Sequence, residues 1–166
     1  MDINTVQSVS GVTKLTDKIG KTVRGKRGHY KIQRQLSKKG GMGIVFVAET
    51  KSKTEVVIKF AKTGEDFDVR LRREAKILRE FEQSQPEKYA EKIKEGYSKS
   101  EAEKLSKPRN IVPYVDESED GASEFFLVME KLEGLDLKEI VGNKKLDEQK
   151  VIKFSRDIAE ALVDLH

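Results

Sequence analysis

Two neighbouring apolar runs, IVFVAE at 44–49 and EVVIKFA at 55–61, most constrain what this chain can fold into. Both runs are rich in β-branched and aromatic residues, and the polar stretch TKSKT separates them, so they predict two adjacent strands of an antiparallel sheet. Upstream, Tyr30, Ile32 and Leu36 alternate with polar residues. This alternation predicts a third strand, which a glycine cluster separates from the second.

The period then changes to that of a helix. From about Asp68 the apolar residues recur at helical spacing while arginine and lysine take the other faces, which predicts one long amphipathic helix; its apolar positions are Leu71, Ala75, Leu78 and Phe81. Residues 82–107 are charged and helix-prone, and Pro86 and Gly96 are expected to break them. We interpret this segment as an inserted helical elaboration with few large side chains to pack, namely Tyr89, Ile93, Tyr97 and Leu105.

Two more strands are predicted, NIVPYVDE at 110–117 and EFFLVMEK at 124–131, joined by an acidic turn. A short helical turn at 132–141 precedes a last helix, for which Asp147 is the predicted cap. Its apolar stripe consists of Val151, Phe154, Ile158, Ala161, Leu162 and Leu165. The predicted fold is therefore α+β, a five-stranded antiparallel sheet with one long helix, followed by further helices.

Composition narrows the possible chemistry. The chain has no cysteine and two histidines, so disulfides, thiolate zinc sites and all-histidine metal sites are not expected. No apolar run approaches the roughly 20 residues that span a bilayer, and the first residues are polar rather than signal-like. We expect a cytoplasmic protein that binds no metal itself and does not contact a membrane.

Positive charge is concentrated at the amino terminus. Residues 1–39 contain ten lysines and arginines against Asp2 and Asp17, a net +8, whereas the whole chain has +4. A solvated, partly disordered leader is the expected state, because no aromatic residue lies among these charges before Tyr30. A basic arm that contacts nucleic acid remains the alternative, and steeply salt-dependent binding would distinguish it.

Three motifs follow one another along the chain: a glycine cluster, an apolar strand that ends in a lysine, and a helix that contains a glutamate. The segment LSKKGGMGIVF places Gly40, Gly41 and Gly43 before Val45, and glycine allows a backbone to lie close against phosphate. VVIK ends at Lys59, a charge in an apolar strand that needs a partner, and the following helix supplies Glu74. This arrangement resembles eukaryotic-like (Hanks-type) serine/threonine protein kinases, with their glycine-rich loop, VAIK strand and helix glutamate.

The resemblance extends to FFLVMEKLEG, which is similar to the fifth strand and hinge of kinases. It implies that Met129 is the gatekeeper, that Glu130 and Leu132 offer backbone groups to adenine, and that Val45, Val57 and Leu137 line the adenine faces. It also implies that Lys59 contacts the α and β phosphates of ATP and pairs with Glu74. The implied organisation is a basic extension at 1–29, an N-terminal kinase lobe at 30–129, and a hinge with the first helices of a C-terminal lobe at 130–166.

The sequence departs from the kinase pattern in three places. Lys38 replaces the first glycine of the loop, with one extra residue before Gly40, and Val57 replaces the alanine of VAIK. The added methyl groups of Val57 are expected to press toward adenine and to weaken binding. The family's catalytic aspartate and its magnesium ligands would all follow His166, so Mg²⁺ would be needed only in the complete enzyme.

Two functions of different kinds follow from these residues. The leading hypothesis is the ATP-binding lobe of a kinase that transfers phosphate to protein in its complete form, with these 166 residues inactive alone. The runner-up is a naturally short, non-catalytic pseudokinase module that binds nucleotide or a partner protein. The protein substrate would contact the absent C-terminal lobe, and the apolar helix at 147–166 is expected to drive self-association.

Overall fold

The computed structural model describes residues 15–37, 43–62, 64–107, 110–142 and 146–165. A short 3₁₀ turn at Leu15–Lys18 leads into strands β1 (Thr22–Arg24), β2 (His29–Ser37), β3 (Gly43–Glu49) and β4 (Glu55–Ala61). Helices α1 (Glu65–Lys94) and α2 (Lys99–Ser106) follow, then strands β5 (Tyr114–Glu117) and β6 (Phe126–Glu130). Helices α3 (Leu137–Val141) and α4 (Glu148–Leu165) complete the described chain.

The strands form one antiparallel sheet in the order β1-β2-β3-β4-β6-β5. The α+β fold predicted from the sequence is confirmed, but the described sheet has six strands rather than five. The additional strand is β1, which pairs with β2 from Thr22 opposite Lys31 to Arg24 opposite His29. It lies inside the segment that we expected to be a solvated, partly disordered leader, and residues 22–25 of that segment instead pair with the sheet.

The two faces of the sheet bury different sets of side chains because successive residues of a strand point to opposite sides. One face packs Ile32, Phe46, Ile58, Phe60 and Val128 into a cluster that includes an edge-to-face contact between Phe46 and Phe60. The other face packs against α1, and its buried residues are Val57, Leu71, Ala75, Leu78, Tyr114, Phe125, Leu127 and Met129.

Helix α1 begins at Glu65 and runs through Pro86 without interruption. The predicted break at Pro86 is therefore wrong, although a proline inside a helix removes one backbone hydrogen bond. The chain turns instead at Gly96, whose φ is +93°. Ser98 then caps α2 in a reciprocal capping box with Glu101.

Small residues, not the large ones, pack the inserted helix α2 against α1. Ala102 and Ser106 are buried, whereas Tyr97 and Leu105 are exposed. Close approach of two helices favours small side chains at the contact. In the described part of the chain, no helix is both long enough and apolar enough to span a membrane.

The last helix begins where the sequence predicted. The Asp147 side chain accepts a hydrogen bond from the backbone N–H of Lys150 at 2.9 Å, which satisfies a free donor of the first turn and lowers the pKa of that carboxyl. Asn110, in the approach to β5, donates its side-chain amide to the backbone carbonyl of Asp157 at 3.0 Å. This bond joins the middle of α4 to the segment that precedes β5.

Candidate functional site

The candidate site lies between the sheet and α1, and Lys59 is at its centre. Lys59 is on β4 opposite Val45 of β3 and Leu127 of β6, so its side chain leaves the sheet on the α1 face. It is partly buried, with a side-chain exposure of 19%. The neighbours Ile58 and Phe60 point to the opposite face, where they belong to the other apolar cluster.

The partner that Lys59 requires is Glu74 on α1. The Lys59 Nζ donates to both carboxylate oxygens of Glu74, at 2.8 Å to Oε1 and 2.6 Å to Oε2. The predicted ion pair is present. Because the helix places Leu71, Ala75 and Leu78 in the core, Glu74 comes to the sheet on the same face as these residues.

Gly43 makes room for the lysine. A Cβ atom at Gly43 would lie 3.1 Å from both Cγ and Cε of Lys59 and 2.9 Å from the carbonyl oxygen of Phe60. A methyl group at this position would therefore collide with the backbone of β4 and press on the stem of Lys59. The glycine is needed here for close approach of strand β3 to Lys59, in addition to any role in the loop that precedes it.

Three of the predicted adenine-contacting residues lie on the face that holds Lys59. Val57 and Met129 are paired across β4 and β6 and are both buried in the cluster under α1. Val45 is half-buried and packs against the same cluster. The larger side chain of Val57, in place of alanine, therefore fills space between the sheet and α1.

Leu137 does not join this cluster. It begins α3 and lines an apolar groove between α3 and α4 of about 360 Å³, together with Leu135, Ile140, Phe154, Ile158 and Leu162. The prediction that Leu137 lines the same site as Val45 and Val57 is thus not supported by its described neighbours. The reason is that the Asp136–Glu139 capping box starts a helix at Leu137 and turns its side chain toward α4.

The hinge residues have exposed side chains. Glu130 ends β6, and its backbone N–H donates to the carbonyl of Pro113 at 3.0 Å. Leu132 follows the strand with 62% of its surface exposed. Their predicted roles use backbone groups, and these remain predictions. Lys38, Gly40 and Gly41 lie outside the described residues.

Sequence reasoning missed a polar network that connects the amino-terminal segment to β5 and α1. Its centre is Asp116, which is completely buried and accepts hydrogen bonds from the backbone N–H of Arg27 at 2.9 Å and the Tyr30 hydroxyl at 2.8 Å. Burial first, and then the hydrogen bond to Asp116, raise the pKa of Tyr30. The available signal was the pair of acidic residues, Asp116 and Glu117, at the end of the predicted strand NIVPYVDE.

A comparison of the fold with solved structures finds similarity to the structure of a kinase. The chain matches a structure described as vaccinia related kinase 3 with a TM-score of 0.58 and 20% sequence identity, over 89% of this chain. The match covers 41% of that kinase chain, so the present chain spans less than half of its length. No protein-family model and no curated protein sequence matches. At this identity the likeness shows a kinase-like fold.

Proposed function

We propose that this chain is the ATP-binding N-terminal lobe of a serine/threonine protein kinase. The observation that supports it is the Lys59–Glu74 pair, with both carboxylate oxygens within 2.8 Å of the ammonium, held between the sheet and α1. In a kinase a lysine so placed contacts the nucleotide phosphates, and the glutamate fixes its position.

The residues around Lys59 fit a nucleotide in two respects. A partly buried ammonium is a suitable partner for phosphate oxygens, and the missing side chain at Gly43 leaves room for the stem of Lys59. The partly buried Val45 supplies an apolar surface on the same face, and Glu130 and Leu132 supply backbone polar groups at its edge. Bound ATP would provide the phosphoryl group, and Lys59 would orient its phosphates.

The catalytic step would need further residues. The 166 residues contain neither an HRDxKxxN nor a DFG motif. Groups that would hold Mg²⁺ and accept the substrate proton come from those motifs in kinases. For this chain, therefore, the proposal is nucleotide binding, with phosphoryl transfer to protein assigned to the complete enzyme.

A non-catalytic, pseudokinase-type module is the second candidate, and Val57 favours it. This valine is 8% exposed and packs under α1 where kinases have alanine, which reduces the space for an adenine ring. Such a module would bind nucleotide weakly or would use the lobe to bind another protein. Nucleic-acid binding by the basic segment is not favoured, because its Arg24, Lys26 and Arg27 are paired with acidic side chains of this chain.

Titration with a fluorescent ATP analogue tests the proposal. We expect weak binding, of millimolar order, which Lys59→Ala reduces at least fivefold, since a charge-assisted contact to phosphate is lost. Lys51→Ala is the matched control, because Lys51 is exposed in the β3–β4 turn and its removal changes the net charge equally. Binding that is equal in the three proteins, or absent in all of them, would refute nucleotide binding at Lys59.

A further inference from the structure

Helix α1 is long but is held to the sheet over a short distance. Its 30 residues extend about 45 Å, yet the apolar residues that it buries are Leu71, Ala75 and Leu78. These three lie within two helical turns and surround Glu74. An apolar contact of this size is not directional, so it leaves rotation and sliding of the helix to be fixed by polar contacts.

Residues 25–27, which we call the strap, are fastened to β5. Gly25 forms an isolated antiparallel bridge with Ser118, and the backbone N–H of Lys26 donates to the carbonyl of Glu117 at 3.0 Å. The Arg27 N–H donates to the buried Asp116. A Cβ at Gly25 would lie 2.3 Å from the Asp116 carboxylate, so the strap can approach this closely only with glycine at position 25.

The side chain of Arg27 reaches from the strap to α1. Its two terminal nitrogens donate to the two carboxylate oxygens of Glu82, at 2.8 and 2.9 Å, and one of them also donates to the carbonyl of Val115 at 3.1 Å. This two-pronged contact is the main cause of the lowered pKa of Glu82 and of the raised pKa of Arg27. One guanidinium thus links the amino-terminal segment, β5 and α1.

A second link crosses the same junction. Glu117 of β5 is buried and accepts hydrogen bonds from Lys26 of the strap at 2.9 Å and from Arg79 of α1 at 2.5 Å. Arg79 and Glu82 are adjacent on the helix surface, one and four residues after Leu78. The polar contacts to the strap therefore lie immediately after the apolar contact.

We infer that the strap positions α1 so that Glu74 meets Lys59, and that Arg27 is the positioning residue. Glu74 and Glu82 are about 12 Å apart along one continuous helix, so a rotation or shift that separates Glu82 from Arg27 also moves Glu74. Any event that pulls residues 25–27 from β5 would release the Lys59–Glu74 pair. The consequence for nucleotide affinity rests on the proposed function, whereas the consequence for the position of α1 does not.

The absence of cysteine allows a direct measurement of the helix position. Spin labels at Lys51→Cys in the β3–β4 turn and Lys76→Cys on the exposed side of α1 report the distance between sheet and helix. The parent is compared with Arg27→Glu, Glu82→Arg and the double variant. Arg24→Glu is the matched control, since the ion-pair partner of Arg24 is Glu119 at the surface and not a residue of α1.

We expect Arg27→Glu and Glu82→Arg each to broaden or shift the label distance and to lower affinity for the fluorescent ATP analogue about threefold to fivefold. The double variant should recover at least half of the loss, because the exchanged charges still attract. Arg24→Glu should change neither quantity. If the charge-reversal variants Arg27→Glu and Glu82→Arg fail to fold, the neutral variants Arg27→Gln and Glu82→Gln are measured in their place.

A lower unfolding midpoint with unchanged label distance and unchanged affinity in the Arg27 variants would overturn the inference, since Arg27 would then only stabilise the fold. An equal effect of Arg24→Glu would overturn it too. If the parent binds no nucleotide but the distance shifts as expected, the positioning role stands and the proposed function fails.

Discussion

Replacing Gly25 by alanine tests the close contact between the strap and β5. The new Cβ would lie 2.3 Å from Oδ2 and 2.9 Å from Cγ of Asp116, and 2.9 Å from the carbonyl oxygen of Glu117. These distances are shorter than any normal contact of a carbon atom, and two of the opposing groups are fixed. Asp116 is completely buried and accepts three hydrogen bonds, and Glu117 O belongs to a strand.

The expected cost follows from what must move. Overpacking of this kind costs about 1–3 kcal/mol. Displacing the Asp116 carboxylate also weakens its bonds from Arg27 N–H and Tyr30 Oη, and a hydrogen bond to a charged group contributes about 1.5–3 kcal/mol. We expect a loss of about 2–4 kcal/mol in the free energy of unfolding. The two costs do not add in full, because a shift of the Asp116 carboxylate that relieves the overpacking is the same shift that weakens its hydrogen bonds. For a chain of this size that corresponds to a melting temperature lower by about 4–16 °C.

Gly28→Ala is the matched control. A Cβ at Gly28 would lie 3.7 Å from the Tyr30 hydroxyl oxygen, an ordinary contact, so the same chemical change three residues away should alter stability by less than about 1 kcal/mol. Urea unfolding followed by far-ultraviolet circular dichroism measures both variants, since the chain has no tryptophan. Equal stability of Gly25→Ala and Gly28→Ala would refute the close packing of the strap on Asp116.

Three further predictions concern other contacts. Asp116→Asn should destabilise the fold by about 1.5–3 kcal/mol in urea unfolding, because an amide keeps the donors at one oxygen but places its NH₂ against the N–H of Glu117; an unchanged midpoint would contradict this. The Arg27–Glu82 pair should stabilise the fold fully above pH 4.5, the ordinary pKa of Glu82, and lose its effect as the pH falls through the lowered folded-state pKa. The melting temperatures of the parent and Arg27→Ala should thus differ most above pH 4.5, and the difference should shrink as the pH falls below that value. A difference that stays constant would exclude the pair. The exposed apolar residues of α4, among them Ile152, Ile158 and Leu162, should drive formation of a homodimer at tens of micromolar that Ile158→Lys weakens; light scattering that gives a monomer of 18.9 kDa would show this wrong.

The sequence by itself determined the elements whose signals are local. The apolar runs at 44–49 and 55–61, rich in β-branched and aromatic residues, predicted β3 and β4. The spacing of Leu71, Ala75 and Leu78 predicted the buried face of α1, and Asp147 predicted the start of α4. The Lys59–Glu74 pair was also predictable. A lysine in an apolar strand needs a partner, and the helix that packs on the strand supplies it.

Only the tertiary structure decided the arrangement of the amino-terminal segment. Arg24, Lys26 and Arg27 looked like a solvated basic run, because a run of charge has no local partner that a sequence pattern can show. Their partners Glu119, Glu117 and Glu82 lie 55 or more residues away in the chain. Many acidic residues of the chain could have been ion-pair partners of these three side chains, and the fold determined which of them lie close enough to pair.

Contacts between residues distant in the chain also explain why β1 and the path of α1 through Pro86 differ from the sequence-based prediction. Strand β1 is only three residues long, too short for an alternation to be visible, and it forms because β2 offers a free edge. The sequence marks Pro86 as a break, yet α1 continues through it in a stretch that packs against α2. Periodicity reports which side of an element is apolar, because it depends on neighbours along the chain. Which element covers that side depends on contacts between distant residues, and only the folded chain brings these together.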